Sequence, residues 1–285
     1  MLHMPILHQS RNNSKTLLLT CLYNGHLYDL YKKYSQDIVS SQENFAKFNG
    51  WDYAVIGDEI NDIYGLTSWK NTGIDARSDC LGMNKWYAMH WVFENTDYDR
   101  ILLVDFDSKF LKMKTLDLDE NVLTLSKLTL SPYYDSVWFL YYCLYQGITF
   151  EQIDNAFPFK ANSGFIKVSR GFFKRQDLEE FVDFACKTLS EVKFSKDKRS
   201  WIHMSDADMG AINNTVSTTL TPFDEVFLIY QMMIKKPSYS FFNRKEYNIN
   251  NSSLLTDNSV HIHFCTNKEH DMELMCKQGI AQFIE

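Results

Sequence analysis

The chain predicts an α/β fold in which helices flank a mostly parallel central sheet within a single domain. Three observations lead there. Ile101-Leu102-Leu103-Val104 is an unbroken aliphatic run after the turn-like Asn95-Thr96-Asp97, which suits a strand buried on both faces. A second strand-like run, Lys15 to Tyr23, comes earlier, and segments with helical spacing lie between the two. Strand, helix and strand joined by short connections form βαβ units, which require right-handed crossovers. At 285 residues, 45% of them hydrophobic, the chain can bury a large core as one α/β domain or as two intimately joined halves.

Taken in order, residues 1 to 15, with Pro5 and Arg11-Asn12-Asn13-Ser14, read as a flexible polar tail, and residues 16 to 285 as the folded domain. The first strand ends at Asn24-Gly25. The tip of strand one is a usual nucleotide-base or ribose site in such sheets, so Thr20, Tyr23 and Asn24 are candidates for that contact. Tyr31, Tyr34, Ile38, Phe45 and Phe48 fall at helical spacing, with Gly50 as the stop, and Trp51 to Ile56 follows as strand two. The polar, Gly-dotted stretch 57–79 reads as a loop near the site. Met83, Trp86, Tyr87 and His90 then mark a helix leading into the aliphatic strand. Lys85 lies on that helix, where position alone favours a side chain snorkelling to solvent over one reaching a diphosphate.

Beyond residue 107, the aromatic stretch Pro132 to Phe150 is too short for a comfortable membrane span and carries Asp135 and Gln146; it reads as core or as a platform for a sugar. Ala161 to Val168 reads as a turn into a strand, with Asn162 placed to offer an amide to a hydroxyl-rich ligand. A helix runs from Leu178 through Leu189. Asp206 and Asp208 form a close acid pair, either helix-capping or positioned on sugar hydroxyls. Val226 to Tyr230 reads as another apolar strand. Val260-His261-Ile262-His263-Phe264 alternates strictly, which puts both histidines on one strand face. Taken alone, such a pair is more often exposed than functional.

The aliphatic run ends in Asp105-Phe106-Asp107. Open α/β sheets bind ligands outside the carboxyl ends of their strands, and side chains at i and i+2 of an extended segment point the same way. Two converging carboxylates repel unless solvent or a cation intervenes. A divalent metal resolves that repulsion and would in turn hold a phosphate or diphosphate. Imidazole with two carboxylates suits manganese better than calcium.

The formal net charge of −7 and pI near 5.6 argue against a nucleic-acid partner, which needs a basic stripe. Six scattered cysteines form no CxxC pair and no zinc spacing, so buried free thiols are expected. No signal-like segment opens the chain and no run is long enough to span a bilayer, so a cytoplasmic location without a membrane span is expected. Sequons at Asn12, Asn213, Asn250 and Asn251 pull weakly the other way.

The ordered set resembles a GT-A glycosyltransferase, an enzyme with a Rossmann-like sheet and an Asp-x-Asp metal motif that uses a nucleotide sugar. Asn44 to Tyr53, Lys85 and the strand from Tyr98 to Asp107 resemble the yeast mannosyltransferase and xyloglucan xylosyltransferase group. Asn162-Ser163-Gly164, Asp206-Ala207-Asp208 and His263-Phe264 are similar to motifs of the glycogenin and lipopolysaccharide galactosyltransferase group. There are departures. Ala207 stands where a glutamine is usual, Thr266 where a glycine is, the expected lysine comes one residue early as Lys268, and the following Pro-Trp is absent.

The resemblance implies Mn²⁺ (or Mg²⁺) held by Asp105, Asp107 and His263. It implies a nucleoside diphosphate sugar, UDP- or GDP-linked, contacted by Asp105, Lys85 and Lys268, with Asn162, Asp206 and Asp208 acting on the sugar. Transfer to a hydroxyl of a glycan or glycoconjugate with retention follows from both groups. Residues 16–110 would form the nucleotide half and 111–285 the acceptor half. The alternatives are an Asp-x-Asp metal-dependent phosphatase, disfavoured by Lys109 where a small β-branched residue is usual, and a sugar-binding protein without turnover.

Overall fold

The computed structural model describes residues 9–10, 14–22, 28–57, 59–64, 82–129, 142–143, 145–149, 160–191, 193–195, 200–202, 223–249, 254–264 and 268–277. The elements run β1 (Gln9–Ser10), β2 (Thr16–Cys21), α1 (Tyr28–Phe48), β3 (Asp52–Ile56), α2 (Glu59–Tyr64), α3 (Gly82–Asn95), β4 (Arg100–Asp105), β5 (Ser108–Phe110) and β6 (Leu123–Thr129). They continue with β7 (Lys160–Ser169), α4 (Arg175–Glu191), β8 (Lys193–Ser195), β9 (Ser200–Ile202), α5 (Phe223–Lys235), β10 (Tyr239–Phe241), β11 (His261–His263) and α6 (Lys268–Lys277).

Seven strands form the main sheet in the order β1-β3-β2-β4-β7-β6-β10. β3, β2 and β4 pair in parallel, as do β6 and β10, while β7 runs antiparallel between β4 and β6. Five strands therefore share one direction, with β7 and the short β1 opposed. The sheet is mostly parallel and flanked by helices, as expected. Gln9 and Ser10, within the segment read as a tail, add the antiparallel edge beside β3.

β4 sits at the centre, and the alternation of its aliphatic run explains the two cores. Ile101 and Leu103 join Trp86, Phe181 and Phe227, from α3, α4 and α5, on one face. Leu102 and Val104 join Phe45, Phe110, Phe165 and Phe264 on the other. Helix α1 ends where Gly50 takes φ +70°, and the Gly50 and Trp51 amides donate back to Lys47 O and Ala46 O. The Arg170 guanidinium closes the end of α3, donating to the carbonyls of Phe93, Thr96 and Tyr98. Tyr142, from the aromatic stretch, is core, packed against Phe181 and Phe184 at 4.7 Å and Tyr230 at 4.5 Å. Most of that stretch lies outside the described residues.

Two expectations are corrected. Val226 to Tyr230 is not a strand but the middle of α5, whose residues 224–233 are all buried. Ala161 to Gly164 is not a turn; it is extended within the ten-residue β7. Cys21 and Cys143 are buried and Cys276 is half-buried, and none of the three forms a disulfide among the described residues. Among the described residues no helix is long and apolar enough to cross a membrane.

Candidate metal centre

β4 delivers Asp105 to the carboxyl end of the sheet, and the chain bends through Phe106 and Asp107 before β5 begins. The bend is held from inside. Ser108 Oγ donates to Asp105 O at 2.6 Å, and buried Gln42 of α1 donates from Nε2 to Ser108 O at 3.0 Å. Tyr53 OH donates to Gln42 Oε1 at 3.0 Å, and burial pushes its phenol well above the ordinary range, so it stays a donor.

β5 then pairs antiparallel with β11, placing His263 opposite Ser108 and His261 opposite Phe110. His263 Nε2 lies 3.4 Å from Asp105 Oδ2 and 3.2 Å from Asp107 Oδ1. One ligand atom from each of Asp105, Asp107 and His263 falls within 4.8 Å of the others. Tyr31 OH donates to Asp107 Oδ2 at 3.2 Å. The space in front of the set is kept by Gly164, where a Cβ would stand 2.5 Å from Asp105 Oδ2 and 2.6 Å from His263 Cε1. Two carboxylates, an imidazole and a cradle that any side chain would fill match the donor set of a divalent transition metal.

Both histidines are buried, at 4% exposure for His263 and 0% for His261, unlike the exposed pair that alternation taken alone suggests. They differ in surroundings. His261 packs between Phe110 at 4.8 Å and Phe165 at 4.4 Å, and its Nδ1 accepts from the Asn248 amide at 3.2 Å. Burial, with His263 nearby, lowers its basicity well below the ordinary range and keeps it neutral.

Lys85 does not snorkel. Its ammonium is buried and reaches Asp105 Oδ1 at 3.1 Å, Asp224 Oδ2 at 2.6 Å and Ser163 Oγ at 3.0 Å. An ammonium has three donors, and three acceptors surround this one. Desolvation alone would pull its pKa down, but the carboxylates of Asp105 and Asp224 outweigh burial and raise it. Gly82, at the start of α3, leaves room for Asp224, which a Cβ would meet at 2.8 Å. Ser163 Oγ also donates to Asp224.

Asn162, the residue before Ser163 on β7, is also buried. Its Nδ2 donates to Glu225 Oε1 at 3.1 Å, while its Oδ1 accepts from Gly164 N at 2.8 Å and Asn248 Nδ2 at 3.1 Å. Asn248 sits at φ 58°, a left-handed conformation that asparagine tolerates.

The structure thus brings together Asp105, Asp107, His263, Lys85 and Asn162. Thr20 is fully buried in β2, in register with Val104, and its hydroxyl has no hydrogen-bond partner among the described residues. Lys268 opens α6. Tyr23, Asn24, Asp206 and Asp208 lie outside the described residues. Sequence reasoning missed Asp224 and Glu225, whose place in the first turn after Pro222 was a legible helix-start signal. It also missed Gln42 and Asn248, for which no local signal exists, and gave Ser163 only as part of the Asn162-Ser163-Gly164 motif, without a role.

No protein-family model and no curated protein matches this chain. Among solved structures it is similar to a glycosyltransferase involved in glycosylation of the major capsid of PBCV-1, at 10% identity and TM-score 0.48, covering 92% of this chain and 98% of that one. It is also similar to the galactosyltransferase LgtC in complex with donor and acceptor sugar analogues, at 14% identity, TM-score 0.38 and coverage of 88% and 87%. Mouse xyloside xylosyltransferase 1 gives 13% identity, TM-score 0.41 and coverage of 89% and 98%. At such identity and overlap these neighbours do not decide the chemistry.

Proposed function

We propose that the chain is a metal-dependent glycosyltransferase of the GT-A kind, moving a sugar from a nucleoside diphosphate sugar, UDP- or GDP-linked, to a hydroxyl of a glycan or glycoconjugate. The observation that carries this reading is the convergence of Asp105, Asp107 and His263 at the carboxyl end of the central strand of a mostly parallel sheet, where such sheets bind nucleotides. These three residues would hold Mn²⁺ or Mg²⁺. The ion, when bound, supplies Lewis-acid charge for a departing diphosphate.

The chain's own residues prepare the rest. Lys85 fixes the free oxygen of Asp105 and holds Asp224 beside it, so both carboxylates keep one orientation. Asn162 aims Glu225 and Gln42 fixes the bend behind Asp107. Residues 16–110 are assigned to the nucleotide, with Thr20, Tyr23 and Asn24 at the base or ribose and Lys268 at the diphosphate; residues 111–285 are assigned to the acceptor. Asp206 and Asp208 are assigned to the sugar hydroxyls. The link from Lys85 to Asp224 and from Asn162 to Glu225 favours a second assignment, in which α5 supplies that acid. Retention and a cytoplasmic setting complete the proposal.

The test is a thermal-shift panel of UDP-, GDP- and dTDP-sugars with and without Mn²⁺, since binding to the native state raises the melting point by mass action. One donor should stabilise the protein only with the metal, and NMR of the product's anomeric proton should show the donor configuration kept. No shift with any nucleotide sugar would refute the reading; an inverted linkage would refute retention alone.

A further inference from the structure

A cavity of about 650 Å³ opens beside Ser126 of β6 and just past the end of β10, where Phe242, Arg244, Lys245, Tyr247, Asn248 and Ile249 line it among others. It shares a wall with the metal centre. Asn248, in its lining, donates to Asn162 Oδ1 at 3.1 Å, and Gly164, two residues on, abuts Asp105 and His263. Ile249 O, from the same wall, accepts from His263 N at 2.9 Å. Phe242 and Tyr247 are buried and give the cavity an aromatic floor. This volume falls in the range of small-molecule sites, typically about 300–1,000 Å³.

Its charge is reversed against the rest of the molecule. The chain carries a formal −7, yet Arg244 and Lys245 are the charged residues of the lining and no acidic residue joins them among the described residues. Lys85, Lys114, Arg175 and Lys235 each face a carboxylate, whereas the exposed Lys47, Lys174 and Lys236 stand singly with none among the described residues. Arg244 and Lys245 also face none among the described residues but line one cavity together, and the next residue in the chain, Glu246, is taken up by Lys114 and by Asn243 Nδ2 at 3.0 Å. Two cations with no carboxylate partner among the described residues, over an aromatic floor, suit a ligand with an apolar ring face and an anion. A guanidinium reads a carboxylate or phosphoryl group through paired hydrogen bonds, and an ammonium adds a point charge.

We propose that this cavity is the acceptor subsite and that Arg244 and Lys245 select an acceptor sugar bearing an anionic group, phosphoryl or carboxylate. The acceptor role rests on the transferase reading above; the anionic-sugar site does not. The experiment is calorimetric titration of the full chain with glucose 6-phosphate, glucuronate, glucose and inorganic phosphate. At least one anionic sugar should bind about tenfold or more tighter than glucose, and which one does so names the anion. Arg244→Ala/Lys245→Ala, at exposed positions, should remove that preference and leave glucose within about twofold. Equal binding of glucose and both anionic sugars overturns the proposal, as does a preference that survives the double substitution. Inorganic phosphate binding as tightly as glucose 6-phosphate also overturns it. Manganese-dependent donor hydrolysis by the unaltered protein is measured separately. If it is absent while anionic sugars bind, the acceptor role falls and the sugar site stands.

Discussion

Replacing Gly164 with Ala adds one methyl group at the point where the sheet faces the metal ligands. The new Cβ would stand 2.5 Å from Asp105 Oδ2, 2.6 Å from His263 Cε1 and 2.9 Å from Asn162 Oδ1. Against the 3.4 Å at which ordinary contact begins, the first two atoms must retreat by about 0.8–0.9 Å. Metal sites tolerate about 0.2 Å in ligand distance, so two of three ligands leave their places by several times that margin. The atoms that must move are side-chain ends. The fold therefore gives way locally, at an overpacking cost of about 1–3 kcal/mol against a typical stability of about 5–15. Gly164 is not in the left-handed region, so backbone strain adds nothing. Manganese affinity should fall roughly a hundredfold, the upper end for disturbing a ligand's support. Calorimetric titration with Mn²⁺ beside a urea melt separates the two effects. A folded Gly164→Ala protein that binds Mn²⁺ within about twofold of the parent would refute the cradle and the ligand set together.

Asp107→Asn should keep the fold and cut transfer roughly a hundredfold or more, because a neutral amide cannot offset a cation's charge; near-normal transfer by the folded variant would remove Asp107 from the site. His263→Ala should abolish Mn²⁺ binding, whereas His261→Ala should spare it and instead cost about 2 kcal/mol or more through the hole left between Phe110 and Phe165. The reverse pattern in titration and urea melts would exchange their roles. Asp206→Asn should weaken transfer and donor hydrolysis together; if it changes neither while Glu225→Gln lowers both, the sugar-holding acid belongs to α5. Arg170→Ala should cost about 1–3 kcal/mol in a urea melt, since it strips the donor from the carbonyls of Phe93, Thr96 and Tyr98. A midpoint unchanged by that substitution would show that water caps α3 equally well.

The parts of this site that were readable in the sequence are those whose signal is local. The aliphatic run of β4 needs only its own four residues to declare a doubly buried strand, and the aspartates follow it directly. Alternation around His261 and His263 likewise declares a strand, but not which imidazole meets the acids; that depends on the register of β11 against β5, a pairing across most of the chain. Val226 to Tyr230 misleads for a different reason. The polar residues that share one face of α5, Asp224, Gln231 and Lys235, lie outside the run, and five apolar residues in a row read by themselves fit a strand equally well. Position alone puts Lys85 in solvent, because its partners, Asp105, Ser163 and Asp224, come from β4, β7 and α5. A lysine on a helix looks solvent-bound until the fold supplies three acceptors.

His263 reaches Asp105 and Asp107 only because β11 pairs with β5, and 156 residues separate Asp107 from His263. During synthesis at about 5–20 residues per second, the aspartates leave the ribosome on the order of ten seconds or more before the histidine does. A nascent chain that has already built β2, β3 and β4 holds a pair of acids without their imidazole, and β4 lacks its neighbour β7. The set of two carboxylates and an imidazole is thus completed only with β11, so on the reading proposed above a partly made chain would hold no finished cation site while β2, β3 and β4 already stand.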